Sequence, residues 1–315
     1  MKIRFQKAKA AVRAINTLGK STVMKKVEMK LIIQLHEAVT LSTLLYNAET
    51  WPLDCAGKKE IDKMEVWAWK SMIGLPKTTP TAAVMFATGA LFPSIRIEMK
   101  QLIFLHQILQ KEEVHCTKIS LYSIKEHDAG WACQIDKILR AWELELDWDV
   151  IKMKTRNAWK KEVEQAAERL NKSAIKSNCI ARKRGEETIK TKTKTIVPFL
   201  DDQNYSRKPQ SFVMQNNKLI ARAYIMGRYG MLQCAANFSC GYKGKNCSNC
   251  GVIDDEDHRI NYCTLWKARN LSESDDKLDF GLIYSENLHE SIKVVEVILN
   301  LWDLGNGKNS MRMDA

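Results

Sequence analysis

Four candidate metal ligands lie close together toward the C-terminal end of the chain. They are spaced C-x2-C-x7-H-x4-C: Cys247, Cys250, His258 and Cys263. The first two cysteines can share one tight turn, and Gly251 supplies turn-forming backbone directly after it. Three thiolates and one neutral imidazole suit Zn²⁺, and four protein ligands leave no open position for a catalytic water. The pattern therefore predicts one structural zinc ion in a small metal-held fold.

The chain carries a large excess of positive charge. Its 315 residues include 49 Lys and Arg against 37 Asp and Glu, a formal net charge of +12. Residues 152–194 hold fourteen Lys or Arg against five Glu, which accounts for +9 of that excess. A surface of this kind attracts polyanions, so we expect RNA or DNA as the partner. We do not expect a membrane, because acidic residues accompany the cations on most segments and no lipidation motif is present.

The candidate nucleic-acid contacts are cationic residues in two groups. The group in the basic segment comprises Lys160, Lys161, Arg182, Lys183 and Arg184. The group that flanks the cysteine cluster comprises Lys218, Arg222, Arg228, Lys243, Lys245, Arg259 and Arg269. A metal-held fold would present the second group in a fixed geometry. The alternative for the first group is a solvated linker that binds nothing. The alternative for the second group is a small zinc-held fold, a zinc knuckle, that only ties two helices together.

Aromatic residues in or near the basic segment are candidates for stacking on unpaired bases: Trp159, Tyr205 and Phe212. For the other tryptophan-rich segments we expect core packing instead: Trp51, Trp67, Trp69, Trp131, Trp142 and Trp148. The histidines outside the cluster are expected to have packing or surface roles.

Apolar spacing predicts a mainly α-helical fold. Apolar residues recur every three or four positions from 24 to 46, and similar patterns span Lys58 to Ile73 and follow Pro93. Gly74 is expected to end the second of these helices, and a further amphipathic helix is expected from Leu288 to Leu304. The predicted architecture is a helical bundle followed by a basic connector and a small CCHC zinc knuckle with a C-terminal helix.

We divide the chain into five regions: 1–57, a helical segment; 58–150, a helical bundle; 151–215, a basic linker; 216–275, the zinc-knuckle module; and 276–315, an amphipathic helix and tail. Within the linker, Trp159 to Leu170 is helix-like, whereas we interpret 182–185 and 190–194 as a mobile, unpacked connector. The apolar runs are too short or too interrupted to span a bilayer, and residues 1–30 lack an apolar signal core. We therefore expect a nuclear or cytoplasmic protein that is not secreted.

The segment from Leu44 to Leu53, LLYNAETWPL, resembles the segment LLYGAETW found downstream of the polymerase core in LINE-type, non-long-terminal-repeat retrotransposon reverse transcriptases. Trp69 to Pro76 continues in the same style. The C-x2-C-x7-H-x4-C pattern resembles that family's zinc knuckle, including Glu256-Asp257-His258 and the trailing Arg269. Order and spacing agree over most of the chain, with one departure, because Asn47 stands where Gly is usual.

The resemblance implies that residues 1 to about 51 are similar to the thumb end of the polymerase, and that the middle is a helical connector. The fingers and palm would lie before Met1, so the resemblance implies no polymerase activity for this chain alone. Phe199-Leu200-Asp201-Asp202 superficially copies the aromatic-x-Asp-Asp polymerase signature, whose carboxylates hold Mg²⁺. We do not interpret it as catalytic, because it follows Pro198 and lies downstream of the thumb-like segment.

The leading hypothesis is a zinc-dependent RNA- or DNA-binding module derived from such a reverse transcriptase. One alternative is a helical protein-interaction scaffold whose knuckle docks a protein partner. Another is an enzyme component that supplies a thumb to a separately encoded reverse transcriptase core, which would then be a second partner. Binding that weakens steeply with salt favours nucleic acid over a protein partner.

Overall fold

The computed structural model describes most of the first 229 residues and part of the cysteine cluster. The described residues are 2–18, 28–52, 54–127, 130–183, 186–189, 196–201, 209–214, 218–229, 246–247, 250–253, 258, 262–263 and 294–295. Over these residues the protein is mainly helical, as the apolar spacing predicts.

The first helices in chain order are α1 (Lys2–Leu18), α2 (Met29–Leu35), a π-helical segment (His36–Leu41), α3 (Ser42–Leu44), a 3₁₀ turn (Ala48–Thr50), α4 (Cys55–Ile73), α5 (Thr81–Thr88) and α6 (Pro93–Leu109). They are followed by α7 (Cys116–Glu126), α8 (Gly130–Ala141), α9 (Trp148–Met153), α10 (Arg156–Cys179), strands β1 (Ile180–Lys183) and β2 (Glu186–Ile189), α11 (Val197–Asp201), α12 (Ser211–Met214) and α13 (Lys218–Arg228).

The helix predicted for 24–46 is found from residue 29 to residue 44, although its middle is π-helical. His36 begins the π-helical segment and is fully buried, with its Nε2 2.9 Å from Glu65 Oε1. The indole of Trp69 donates to the same carboxylate oxygen at 2.9 Å. This buried polar cluster joins the π-helical segment to α4. Residues 24–27 lie outside the described residues.

Helix α4 begins and ends at sequence signals. Asp54 accepts a hydrogen bond from the Gly57 N–H at 2.7 Å and so caps the N-terminus. Gly74 ends the helix with φ 80°, a left-handed conformation that glycine adopts without strain. The predicted end at Gly74 is therefore confirmed, and the start lies three residues before the predicted Lys58.

Helix α6 is held at its N-terminus by side chains from two other helices. The backbone N–H and the hydroxyl of Ser94 donate to the Asp62 carboxylate of α4 at 2.9 and 2.8 Å. Asn171 of α10 accepts from the Phe92 N–H at 3.1 Å and donates to the Ala90 carbonyl at 3.3 Å. These bonds satisfy buried backbone groups that the chain turn before α6 would otherwise leave unpaired.

Helix α10 lies inside the basic linker region 151–215. It confirms the helix predicted for Trp159 to Leu170 and extends it at both ends. Thr155 caps its N-terminus, and the helix runs 24 residues while packing against α5 and α6. Trp159 on this helix is 1% exposed and donates its indole N–H to the Leu102 carbonyl at 2.9 Å. The prediction that Trp159 stacks on a base is therefore wrong, because the ring packs in the core. The domain boundaries themselves stay predictions.

Strands β1 and β2 form an antiparallel pair that the helical prediction missed. Arg182 lies opposite Glu187 in the register and Lys183 lies opposite Glu186. The interpretation of residues 182–185 as an unpacked connector is thus wrong for 182 and 183, whereas 184–185 and 190–194 lie outside the described residues.

Most of the described helices share one hydrophobic core, and a smaller core forms between α1, α3, α4 and α6. Trp69, Trp142 and Trp148 are buried as predicted, at 1–2% exposure, but Trp67 is 36% exposed. Of the expected C-terminal helix, Val294 and Val295 are described; both are helical and belong to the main core.

Among the described residues, no single helix has the length and apolar composition to cross a membrane. Helices α5 and α6 meet those criteria together, but only as a pair bent by 53°.

The carboxyl group of Asp62 should make stability depend on pH. Burial raises the pKa of Asp62 to about 6, and the charges of Glu65 and Glu98 add to the increase against the lowering effect of the Ser94 hydrogen bonds. The folded state therefore binds this proton more tightly than the unfolded state. Its contribution is fully present below about pH 4 and is lost as pH rises through about 6, a change of about 3 kcal/mol at most.

We expect the Asp62→Asn variant to lack this loss, because a neutral amide still accepts from the Ser94 N–H. Urea unfolding of both proteins from pH 4 to 8 measures the difference between their free energies of unfolding. That difference isolates Asp62 from the pH dependence of metal binding. The Asp62→Ala variant removes the acceptor and should be less stable by about 1 kcal/mol. Parallel pH profiles for the native protein and Asp62→Asn would contradict the assignment.

Candidate metal centre

The turn that carries Cys247 and Cys250 is closed by backbone hydrogen bonds. The Cys247 N–H donates to the Val252 carbonyl at 2.7 Å, and the Gly251 N–H donates to the Cys247 carbonyl at 2.9 Å. Asn246 and Ile253 form an antiparallel bridge beside them. Gly251 has φ 74°, the left-handed conformation that lets the chain reverse just after Cys250. The sequence therefore folds locally into a turn that directs both sulfurs to one side.

The other two ligands come from a second turn. The Cys263 N–H donates to the His258 carbonyl at 2.7 Å, which closes a turn of six residues. Cys263 is fully buried and His258 is 5% exposed. This hydrogen bond holds His258 and Cys263 close together, so that the imidazole and the thiol both approach the turn that carries Cys247 and Cys250.

The four side chains converge as the sequence predicts. One potential ligand atom from each of Cys247, Cys250, His258 and Cys263 lies within 4.8 Å of all the others. The sulfur of Cys263 is 3.8 Å from both the Cys247 and the Cys250 sulfurs. A disulfide would need an S–S distance of about 2.05 Å, so these cysteines are not cross-linked.

The spacing of the sulfurs fits a tetrahedral metal site. Metal–sulfur bonds of about 2.3 Å that meet at a tetrahedral angle place two sulfurs about 3.8 Å apart. The observed separations of Cys263 from its two partner cysteines have this value. Burial of Cys247, His258 and Cys263 limits solvent access to the ligand atoms. The cluster can therefore hold a metal ion with four protein ligands.

The predicted nucleic-acid contacts lie on separate elements. Lys160 and Lys161 are exposed on α10, and Lys160 lies 3.7 Å from Glu164. Arg182 and Lys183 belong to β1. Five further candidates and two of the stacking candidates lie outside the described residues or have side chains that are not described: Arg184, Lys243, Lys245, Arg259, Arg269, Tyr205 and Phe212.

Three candidates on α13 are only half-buried, although most of this helix is in the core. Lys218, Arg222 and Arg228 interrupt its buried face, and the helix packs against α4, α5 and α12. Burial lowers the pKa of Lys218, and the nearby charge of Arg222 lowers it further. The Arg228 guanidinium lies 5.7 Å from the Tyr224 ring. The fold therefore gives these three cations less solvent access than Lys160 and Lys161 of α10.

Sequence reasoning missed one exposed aromatic residue and one strongly basic helix. Trp67 was expected to be in the core, and α1 was not considered as a binding element. The sequence signals are present: α1 contains five Lys or Arg and no acidic residue. Trp67 lies two positions from Trp69, which places the two rings on different faces of one helix.

Comparison with known proteins identifies no relative: no family model, no curated protein and no solved structure matches the chain.

The metal ligands can be tested with the full chain. We expect one equivalent of Zn²⁺ or Co²⁺ to bind, with the charge-transfer absorption of Co²⁺ indicating thiolate coordination. Cys250→Ser, His258→Asn and Cys263→Ser should each weaken binding by at least about 100-fold, because each removes a direct ligand. Cys55→Ser and Cys116→Ser are matched controls, since both cysteines are exposed and outside the cluster. Equal losses in the controls, or none in the ligand variants, would refute the site.

Substitutions of Gly251 test the turn without changing a metal ligand. No atom lies within 4 Å of the position that a Cβ would occupy, so an added methyl group meets no neighbour. Its φ of 74° nevertheless costs an L-residue about 1–2 kcal/mol. We expect Gly251→Ala to weaken metal binding by about tenfold and Gly251→Asn to weaken it less, because Asn visits this conformation more readily. Competition with a chromophoric chelator measures both, and equal affinities would contradict the turn.

Proposed function

We propose that the protein is a zinc-dependent nucleic-acid-binding module. The observation that carries this proposal is the convergence of three cysteines and one histidine on a chain with a net charge of +12. The metal stabilises a small fold in the C-terminal part, and the cationic helical body supplies a surface for phosphates.

Zinc is the metal that the ligand set favours. Soft thiolates and an imidazole in tetrahedral spacing select zinc among common divalent ions, and four protein ligands make the site structural. Binding of the ion releases the thiol protons and is coupled to folding of the residues between the ligands. Zinc therefore acts by stabilising the fold around its four ligands, not by activating water.

Helix α10 supplies sequence-independent affinity. It carries six Lys or Arg against three Glu, and one face is buried against α5 and α6. Lys160 and Lys161 lie on its exposed side. Each phosphate that such cations neutralise releases condensed counterions, which makes affinity fall steeply with salt. Arg169 and Lys176 extend the positive charge along the helix, although Lys176 lies 2.6 Å from Asp201.

The origin in a LINE-type reverse transcriptase is part of the proposal. In the LLYNAETW segment, Asn47 has φ 55° and ψ 32°, the left-handed conformation that Gly and Asn adopt most readily. A Gly at this place in the family pattern and an Asn in this chain therefore meet the same backbone requirement. The neighbouring carbonyls of Glu49 and Trp51 accept from Trp131 at 2.9 Å and from Gln101 at 2.7 Å. Packing gives a physical reason for this sequence pattern.

The described part of the Phe199-Leu200-Asp201-Asp202 segment differs in structure from the polymerase signature that it resembles. Its first three residues belong to helix α11, whereas the polymerase signature occupies a hairpin between strands. Leu200 is buried and Asp201 pairs with Lys176. We therefore assign Leu200 to packing and Asp201 to surface charge.

Binding of RNA and DNA over a salt series tests the function. We expect the zinc-loaded full chain to bind with a log Kd that rises linearly with log salt concentration, because phosphate contacts dominate. The Cys247→Ser and Cys250→Ser double variant should bind no zinc and lose part of this affinity. The Lys160→Gln and Lys161→Gln double variant should keep zinc and reduce the salt slope by about 1–2.

The matched control is the Cys55→Ser and Cys116→Ser double variant, which removes two thiols that are exposed and outside the cluster. It should behave as the native protein in both zinc content and binding. If the affinity for nucleic acid is unchanged after zinc is lost, the zinc knuckle has no role in binding. Binding that is insensitive to salt, or no binding to RNA and DNA, would favour the protein-interaction scaffold instead.

A further inference from the structure

A groove runs between α1 and α4 on a side of the helical body that the metal ligands do not line. Its volume is about 340 Å³, within the range of small-ligand pockets. The residues that line it are Phe5, Lys9, Arg13, Glu60, Lys63, Met64 and Trp67. Three cationic side chains and two aromatic rings thus share one concave surface.

Each wall of the groove is a single helix face. Phe5, Lys9 and Arg13 recur every four residues along α1 and therefore form one ridge. The residues from α4 are spaced at three and four positions between Glu60 and Trp67, which also places them on one side. Asn16 donates to Ser71 at 2.7 Å and ties the two helices together beyond the groove. The walls are held in place by folding of the body and need no ligand to form.

The charge of the groove is positive and only partly balanced. Helix α1 contains five Lys or Arg and no Asp or Glu, and both Lys9 and Arg13 are exposed. Among the described residues that line the groove, Glu60 is the one carboxylate, and it lies 3.1 Å from Lys63. Lys9 and Arg13 therefore offer positive charge to a ligand.

Trp67 presents an indole ring to the same space. It is 36% exposed, whereas its neighbours Val66, Ala68 and Trp69 are at most 7% exposed. The Lys9 ammonium lies 6.0 Å from the centre of the ring, so a cation borders the aromatic surface. Flat rings beside cations are the elements with which proteins bind unpaired bases and the phosphates next to them.

We propose that this groove binds a single-stranded segment of nucleic acid, with one base stacked on Trp67 and the adjoining phosphates on Lys9 and Arg13. The ligand class rests on the proposed function, but the site is separate from the metal centre, because none of the four metal ligands lines it. A base held in a duplex cannot reach the indole face. The groove therefore distinguishes single strands from duplexes without reading sequence, because every base has a face that stacks.

The test uses the zinc-loaded full chain, a labelled single-stranded oligothymidine and a duplex of the same length. Trp67→Leu should weaken single-strand binding by about tenfold and duplex binding by less than about twofold, because stacking serves only unpaired bases. Trp67→Phe should restore most of the lost affinity, since it keeps an aromatic face. Fluorescence anisotropy measures the affinities, and circular dichroism checks that the helical content is unchanged.

A second pair of variants tests the cations. Lys9→Gln with Arg13→Gln should lower the salt slope of single-strand binding by about 1.4, which is about 0.7 for each phosphate contact. Lys137→Gln with Arg140→Gln is the matched control, because it removes two exposed cations of α8 at a similar helical spacing. The control should change the slope by much less.

The outcomes separate this proposal from the proposed function. If the native chain binds nucleic acid in a zinc-dependent way but Trp67→Leu binds single strands as well as the native chain does, the groove assignment is overturned and the function stands. Equal losses for single strands and duplexes also overturn it, since they indicate general charge instead of stacking. If the native chain binds neither form, both proposals fail.

Discussion

The buried N-terminus of α6 is the constraint on which the helical body depends. This helix contacts α4, α7, α8, α9 and α10, and its start is held by Asp62 from α4 and Asn171 from α10. Farther along α6, Glu98 pairs with Lys58 and accepts from the Trp142 indole at 2.8 Å. A buried helix end needs such partners, because its backbone N–H groups have no others. The polar side chains thus fix which helices pack on α6 and in what register.

Features that depend on local spacing were predictable from the sequence. The four metal ligands are within 17 residues of one another and converge through two turns, so their spacing alone indicated the cluster. The end of α4 at Gly74 likewise follows from the left-handed conformation that glycine tolerates. The mainly helical fold is confirmed for the same reason, since apolar periodicity is a local property.

Features that depend on partners distant in the chain were not predictable. The sequence indicated a helix in the middle of α10 but not its packing, because the charges of the region suggested a linker. Trp159, Val163 and Ile175 nevertheless form a buried face against α6 and α5. Trp67 and Trp69 look equivalent in sequence, but only Trp69 meets the buried Glu65 and His36. The Trp67 ring instead lies beside α1. Periodicity within α4 cannot indicate a contact with a helix so distant in the sequence. The exposed ring of the groove was missed for this reason.

The two proposed binding elements differ in what orders them. At the metal centre, the free energy of ion binding is also the free energy of folding the residues between the ligands, so affinity there is coupled to zinc and to pH. The α1–α4 groove is formed by packing of Ala8 and Ile61 in the smaller core and by the Asn16–Ser71 hydrogen bond. A preformed surface loses little conformational entropy when a ligand binds. A surface that becomes ordered only on binding loses more. The proposed capture of a strand by the groove would therefore be independent of zinc, whereas any contact that we propose for the metal-held segment would require the ion.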